Sequence, residues 1–181
     1  MLPVIAWYHI AGAIIGKDCA LEGTSQWLSL IPGRTGNLLR MAFYVSVLER
    51  CERPVTICFG AILSKVGAQI GQHVYIGPCC QLGLVTIGRD TLLGPGVQIP
   101  SGPNTHSFDR LDVPIRMQPG DLRRVTIGDD CWLGAGSVIM ADIGDQSIVG
   151  AGSVVTHPMP EKTISAGVPA RIIKRRDDEA L

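Results

Sequence analysis

Histidine is the side chain in this sequence best suited to moving a proton near neutral pH. The chain has four, His9, His73, His106 and His157, and they lie far apart in the sequence. Among them, His106 stands in a polar stretch typical of a loop, SGPNTHSFD at residues 101–109. This setting fits a general base, and it fits an ordinary loop histidine as well.

The six cysteines show no metal-binding or redox spacing, since no C-x-x-C pair occurs. Disulfide bonds would suit a secreted chain, but residues 1–12 lack the basic segment that opens a signal peptide. We therefore expect a cytoplasmic protein whose cysteines are small core residues rather than bridged or reactive thiols.

Composition limits the class of protein. The 181 residues suggest a single domain, 1–181, in which 16 basic residues balance 16 acidic ones. Zero net charge argues against a nucleic-acid partner, and no apolar run reaches the roughly 18 residues of a membrane span. Glycine is abundant, at 22 residues, whereas aromatic residues make up only 5%. The core should therefore be narrow.

A six-residue period organises the aliphatic residues. The residue two positions before each of them is small or β-branched, as in Cys80, Val97 and Ser147. Residues two apart on a strand share a face, so each hexad predicts a very short strand with two inward side chains. Such repeats are typical of a β-solenoid. The aliphatic series are Ile70, Ile76 and Leu82; Ile87, Leu93 and Ile99; Ile127, Leu133 and Ile139; Ile143, Val149 and Val155; and a shorter one, Ile15 and Leu21.

A helical pattern interrupts the early part of this period at about residues 35–53. It predicts an amphipathic helix that packs on the coil, with Asn37, Arg40, Glu49 and Arg50 facing outward. Its apolar stripe consists of Leu38, Met41, Ala42, Val45 and Leu48.

Two further segments leave the repeat. Residues at about 100–124 contain four prolines and predict a long loop, the kind of segment that often carries function. Residues at about 168–176 predict a short C-terminal strand or helix, and residues 175–179 a solvated, charged tail.

These features resemble the hexapeptide-repeat acyltransferases, which include the galactoside, maltose and serine acetyltransferases. The resemblance covers at least residues 55–175 and is strongest where VTIGDDCWLGAGSVIMADIGDQSIVGAGSVVT is followed by SAGVPARII. It implies an all-β solenoid: a left-handed parallel β-helix with an inserted N-terminal α-helix, a long catalytic loop and a short C-terminal element. It also implies a homotrimer with active sites between neighbouring prisms.

The resemblance also implies the chemistry. His106 would be the base that takes a proton from an acceptor hydroxyl as its oxygen attacks the thioester of acetyl-CoA. Asn104 and Asp109 would bind the acceptor. Asp109 or Asp112 would orient the imidazole, or each is a solvated loop acid. No metal is expected. The coenzyme contacts implied are Ala135, Ala151, Thr156, His157, Arg171 and Lys174.

Several alternatives remain open in the sequence. Arg171 and Lys174 fit phosphate contacts and also a solvated basic tail. His157 stands where the family commonly has Lys, so coenzyme affinity would be weaker or more pH-dependent. Gly96 stands where the galactoside and maltose enzymes have Asn, so their acceptor and oxyanion geometry is not carried over.

We expect O-acetylation of a sugar or a polysaccharide precursor. The alternatives are serine or another hydroxyl or amine acceptor on the same fold, and a non-catalytic β-helix scaffold. A γ-type carbonic anhydrase would need three histidines around zinc, and the four here are isolated.

Overall fold

The six-residue period folds into short strands that stack in three parallel sheets around a narrow core. The computed structural model describes residues 1–177. The strands are β1 (Arg50–Cys51), β2 (Thr56–Ile57), β3 (Ile62–Leu63), β4 (Gln69–Ile70), β5 (Tyr75–Ile76), β6 (Gln81–Leu82), β7 (Val85–Ile87), β8 (Leu92–Leu93), β9 (Gln98–Ile99), β10 (Val125–Ile127), β11 (Trp132–Leu133), β12 (Val138–Ile139), β13 (Ile148–Val149), β14 (Val154–Val155), β15 (Thr163–Gly167) and β16 (Ala170–Arg175).

Successive strands from β1 to β12 enter the three sheets in turn, and beyond β12 the first-sheet position is an isolated bridge at Ile143. The first sheet has the order β1-β4-β7-β10, the second β2-β5-β8-β11-β13-β15-β16, and the third β3-β6-β9-β12-β14. All neighbours are parallel except β15 and β16, which are antiparallel. The predicted β-solenoid with an N-terminal helical part, a long loop and a short C-terminal element is confirmed.

The inward positions are those that the hexads predict. Aliphatic residues such as Ile76, Leu93 and Leu133 are fully buried. Small residues two positions earlier, such as Val74 and Thr91, are buried too, and several of those with a polar side chain donate to carbonyl groups at the corners. Thr91 Oγ1 donates to Gly128 O at 2.8 Å, for example.

Burial raises the pKa of the Cys80 thiol to about 11, as suits a core residue. Cys19 and Cys79 are exposed, so the prediction that the cysteines are core residues is wrong for these two.

The start of the chain differs from the sequence prediction. Residues Ile15 and Leu21, which share the six-residue spacing, lie in helices rather than in a first coil. Helix α1 (Leu2–Ile15) packs against α2 (Lys17–Ser29), where Leu21 is fully buried. Two positions six residues apart are too few to establish a repeat. The residues of α2 with high helix propensity favour a helix instead.

Helix α3 (Gly33–Val47) replaces the predicted helix at 35–53 and buries a different face. Leu38 of the predicted apolar stripe is 61% exposed, whereas Arg40, predicted to face outward, is completely buried beside Phe43 and Tyr44. The backbone becomes extended at Leu48, and β1 follows it. Residues 48–53, which were predicted to be helical, therefore belong to the solenoid.

Arg40 is buried because it closes the open end of the solenoid. In the second sheet, each carbonyl accepts a hydrogen bond from the preceding coil, as Ile76 O does from Cys58 N. Ile57 O is in the first coil, and Arg40 Nε supplies its donor at 2.8 Å. Arg40 Nη1 also donates to Leu28 O and Ile31 O at the end of α2. Burial lowers the pKa of the guanidinium.

The other end of the second sheet is covered by β16, which folds back on β15. The C-terminal element predicted at 168–176 is therefore a strand. The charged tail predicted at 175–179 lies partly outside the described residues. No helix within residues 1–177 combines the length and the hydropathy needed to cross a bilayer.

Candidate active site

The long loop, which we call the arm, consists of two segments, 101–107 and 119–123, that are joined by hydrogen bonds. It occupies residues 100–124 between β9 and β10 and includes a short 3₁₀ turn, Ile115–Met117. Three backbone hydrogen bonds join the two segments: Arg123 N to Ser101 O at 2.9 Å, Asp121 N to Asn104 O at 2.8 Å, and Ser107 N to Pro119 O at 2.9 Å. The predicted catalytic loop is thus held by its own backbone.

Two residues that the sequence analysis passed over shape this arm. Gly120 is required because a Cβ there would lie 1.9 Å from Thr105 O. Gln118, 7% exposed, donates from Nε2 to Arg110 O at 2.7 Å and Val113 O at 2.8 Å, and its Oε1 accepts from Arg110 N. Both residues lie in the sequence QPG at 118–120, five residues before β10 begins, and such Pro-Gly pairs are typical of a turn.

The arm gathers the predicted catalytic and acceptor residues in one cleft of about 400 Å³. Asn104, His106 and Asp109 line it together with Ser107 and Phe108. The imidazole of His106 is exposed and makes no hydrogen bond to any residue in 1–177. Ser107 Oγ donates to Asp109 Oδ2 at 3.0 Å. A small polar molecule could therefore meet a free imidazole and a fixed carboxylate at once.

Asp112 is engaged elsewhere. Arg110 Nε donates to Asp112 Oδ1 at 3.2 Å, and the guanidinium holds the pKa of that carboxyl below its usual range. Asp109 and Asp121 are the acids that line the cleft with His106.

Three of the predicted coenzyme residues lie along another edge of the coil, at the corner between the second and third sheets. Ala135 and Ala151 are exposed and stack directly, with Gly152 N donating to Ala135 O at 2.8 Å. Arg171 is opposite Ala166, which lies above Gly150 at the same corner. We call the surface formed by Ala135, Ala151 and Arg171 the coenzyme corner. It exposes small side chains and backbone, and the guanidinium of Arg171 lies at its end.

The remaining coenzyme candidates lie apart from that corner. Thr156 and His157 follow β14, at the opposite edge of the third sheet, and Thr156 Oγ1 is 2.9 Å from His157 Nδ1. Lys174 lies opposite Ile164 on the second sheet. The structure therefore does not bring the six candidates into one pocket of a single chain.

The cleft and the coenzyme corner occupy different edges of the third sheet. The arm leaves that sheet after β9, towards the first sheet, whereas Ala135 precedes β12 at the corner with the second sheet. The residues lining the cleft around His106 all come from the arm.

The other histidines have local roles. His73 Nδ1 lies 3.1 Å from Asp90 Oδ1 at a corner of the coil, and His9 packs edge-on against Tyr8. Residues 1–177 hold no group of three or more His, Cys, Asp or Glu side chains arranged for a metal ion.

Comparison with known proteins defines the class of this fold. The family model described as "Hexapeptide repeat of succinyl-transferase" matches residues 124–157. A crystal structure of a hexapeptide-repeat acetyltransferase from Vibrio cholerae O1 biovar eltor, complexed with acetyl-CoA, is 28% identical over 92% of each chain, with a TM-score of 0.66. The maltose O-acetyltransferase of Clostridium difficile 630 has the same fold, with a TM-score of 0.75, 21% identity and 89% of each chain covered.

Among curated proteins, the chain is similar to one of Escherichia coli (strain K12) that is provisionally named a lipopolysaccharide biosynthesis O-acetyl transferase. The two are 37% identical over 128 residues, which are 66% of this chain and 63% of that protein. The chain spans less than two thirds of the length of the curated relatives it matches. The resemblance to the hexapeptide-repeat acyltransferases is confirmed.

Proposed function

We propose that this protein is an acetyl-CoA-dependent O-acetyltransferase that acts on a hydroxyl of a small acceptor, a sugar or a polysaccharide precursor. The observation that carries the proposal is the free imidazole of His106 in a polar cleft, on a coil whose neighbours include an acetyl-CoA complex. The E. coli relative, whose name places it in lipopolysaccharide synthesis, and the maltose enzyme favour a sugar acceptor.

The reaction needs one proton to move twice. Acetyl-CoA supplies an activated acetyl group. Neutral His106 takes the proton of the acceptor hydroxyl while that oxygen forms a bond to the acetyl carbon. The carbon–sulfur bond then breaks, and the imidazolium returns the proton to the leaving sulfur. Asn104 and Asp109, in the same cleft, bind the acceptor.

The coenzyme corner fits the elongated donor. Ala135 and Ala151 leave room for a pantetheine arm to approach the backbone, and Arg171 provides a charge-assisted contact for phosphate. We assign Thr156, His157 and Lys174 to the same donor, bound across two copies of the chain.

We further propose a homotrimer. Tyr75, Leu92 and Trp132 form an exposed apolar ladder, in register, on the outer face of the second sheet. The tip of the arm exposes Phe108, Leu111 and Ile115. Neighbouring copies would cover both surfaces and bring the arm of one to the coenzyme corner of the next. The six cysteines are free thiols, in keeping with a cytoplasmic location.

A screen of acceptors tests the proposed function. Release of thiol from acetyl-CoA is measured with hexoses, amino sugars and serine, and the product is identified by mass spectrometry. We expect release with a sugar, together with an ester product. An amide product or a preference for serine would support transfer to the alternative acceptors. Tight acetyl-CoA binding without release, or no binding, would support a scaffold.

His157 gives a separate prediction about the donor. Lysine would place a fixed ammonium where His157 stands. We expect His157→Lys to tighten coenzyme A binding about tenfold at pH 8. Isothermal titration measures this.

The matched control is His73→Lys, which places the same charge at an exposed corner beside Asp90. It should leave the affinity unchanged, because that corner is on another edge of the coil. Equal effects of the two substitutions, or no effect of His157→Lys, would remove His157 from the coenzyme site.

A further inference from the structure

Helix α1 is uncharged along its whole length and exposes its outer side. Residues 1–16 contain no Asp, Glu, Lys or Arg. Tyr8 is its buried residue and packs on Phe43, with ring centroids 5.8 Å apart. Trp7, Ile10 and Ile14 are 64%, 58% and 78% exposed. A helix that is apolar all round belongs in a core or in contact with lipid, and this one is only half covered.

Helix α2 extends the same surface. Its Trp27 is 79% exposed, and Leu30 directly after it is 65% exposed. A groove of about 700 Å³ runs between the two helices, with Trp7 and Trp27 both on its walls. We call this surface the apolar cap; it consists of Leu2, Trp7, Ile10, Ile14, Trp27 and Leu30.

Two positive charges lie beside the apolar cap. Lys17, the first residue of α2, and Arg34, at the start of α3, are exposed and form no ion pair within residues 1–177. Of the two acids of α2, Asp18 is paired with Lys65 at 3.2 Å, and Glu22, which is exposed and unpaired in that range, lines a cleft on the third sheet with Gln81.

We propose that the apolar cap docks on an anionic lipid bilayer, with α1 lying in the plane of the interface. At 1.5 Å per residue, the 14 residues of α1 measure about 21 Å, too short for a hydrocarbon core of about 30 Å. Tryptophan favours the interface, and Lys17 and Arg34 are complementary to anionic headgroups. A second copy docked cap to cap would instead place like charges together.

Vesicle flotation of the full chain tests this proposal. We expect the protein to float with vesicles of phosphatidylcholine and phosphatidylglycerol and to bind pure phosphatidylcholine more weakly. Trp7→Gln/Trp27→Gln should weaken binding to anionic vesicles about tenfold or more. Lys17→Gln/Arg34→Gln should weaken it about tenfold as well, and only on anionic vesicles.

The matched control is Ile173→Gln, which removes an exposed apolar side chain from β16, at the end of the second sheet away from the helices. It should bind vesicles like the unmodified chain. Quenching of tryptophan fluorescence by brominated lipids gives a second measurement on the unmodified protein, and it should reach part of the emission and spare the rest.

Three results would overturn the proposal. The first is absence of binding and of quenching with anionic vesicles. The second is equal binding by the Trp7→Gln/Trp27→Gln chain, with thermal unfolding showing that it is folded. The third is a larger assembly in sedimentation that this double substitution dissolves while vesicles bind neither protein, which would make the cap an interface between copies.

Discussion

Replacing His106 with alanine should lower the turnover of acetyl transfer about 10²–10⁴-fold, the range that general-base assistance usually contributes. The affinity for coenzyme A should stay unchanged, because the imidazole acts on the acceptor hydroxyl and none of the assigned coenzyme contacts lies in the arm. The measurement pairs the initial rate of thiol release, at saturating acceptor, with a titration of coenzyme A.

His73→Ala is the matched control, since it removes another exposed imidazole, one that pairs with Asp90. It should leave both quantities unchanged. If His106→Ala keeps its turnover within about threefold of the parent, well below the usual contribution of a base, the assignment of His106 fails. A loss of coenzyme affinity would instead move His106 from the chemistry to donor binding.

Replacing Arg40 with methionine should destabilise the fold by about 3–5 kcal/mol, one of the largest losses open to a single substitution in this chain. The guanidinium donates at 2.8 Å to the carbonyls of Leu28, Ile31 and Ile57 and to Asn37 Oδ1. Methionine fills similar space but removes the donor from Ile57 O and Ile31 O, while Leu28 O keeps only the 3.3 Å hydrogen bond from Ile31 N. The urea midpoint and the melting temperature, at one protein concentration, measure the effect.

Arg34→Met is the control on the same helix, because Arg34 is exposed. It should change the free energy of unfolding by no more than about 0.5 kcal/mol. Arg40→Lys should lose most of the stability as well, since one ammonium cannot reach acceptors on both α2 and β2 as a planar guanidinium does. Equal stability of Arg40→Met and Arg34→Met would show that Arg40 does not close the coil.

The solenoid was predictable because its core is periodic. Each hexad places one aliphatic and one small residue inside, so the coils from Ile70 to Ile99 and from Ile127 to Val155 could be assigned from spacing. The start of the chain was not, because α1 is apolar on every side and therefore shows no helical period. Arg40 was wrongly predicted to face solvent, because its hydrogen-bond partners are backbone carbonyls distant in the sequence. Helix propensity does not indicate such partners.

The site was predictable in its parts and not in its assembly. The prolines and polar residues around His106 marked the loop, and the structure places Asn104, His106 and Asp109 in one cleft. The role of Gln118 depends on the folded arm, where its amide meets Arg110 and Val113. The cleft and the coenzyme corner are apart because they occupy different edges of the third sheet. The spacing of residues in the sequence does not show which edge a residue occupies.

The most direct test is whether two inactive chains restore each other. His106→Ala removes the base, and Ala151→Trp blocks the coenzyme corner, so each alone should be inactive. If the site is shared between copies, an equal mixture that is unfolded and refolded together should recover about a quarter of the parent rate, since one interface in four unites an intact base with an intact corner. A mixture as inactive as its components would contradict a site built from two chains.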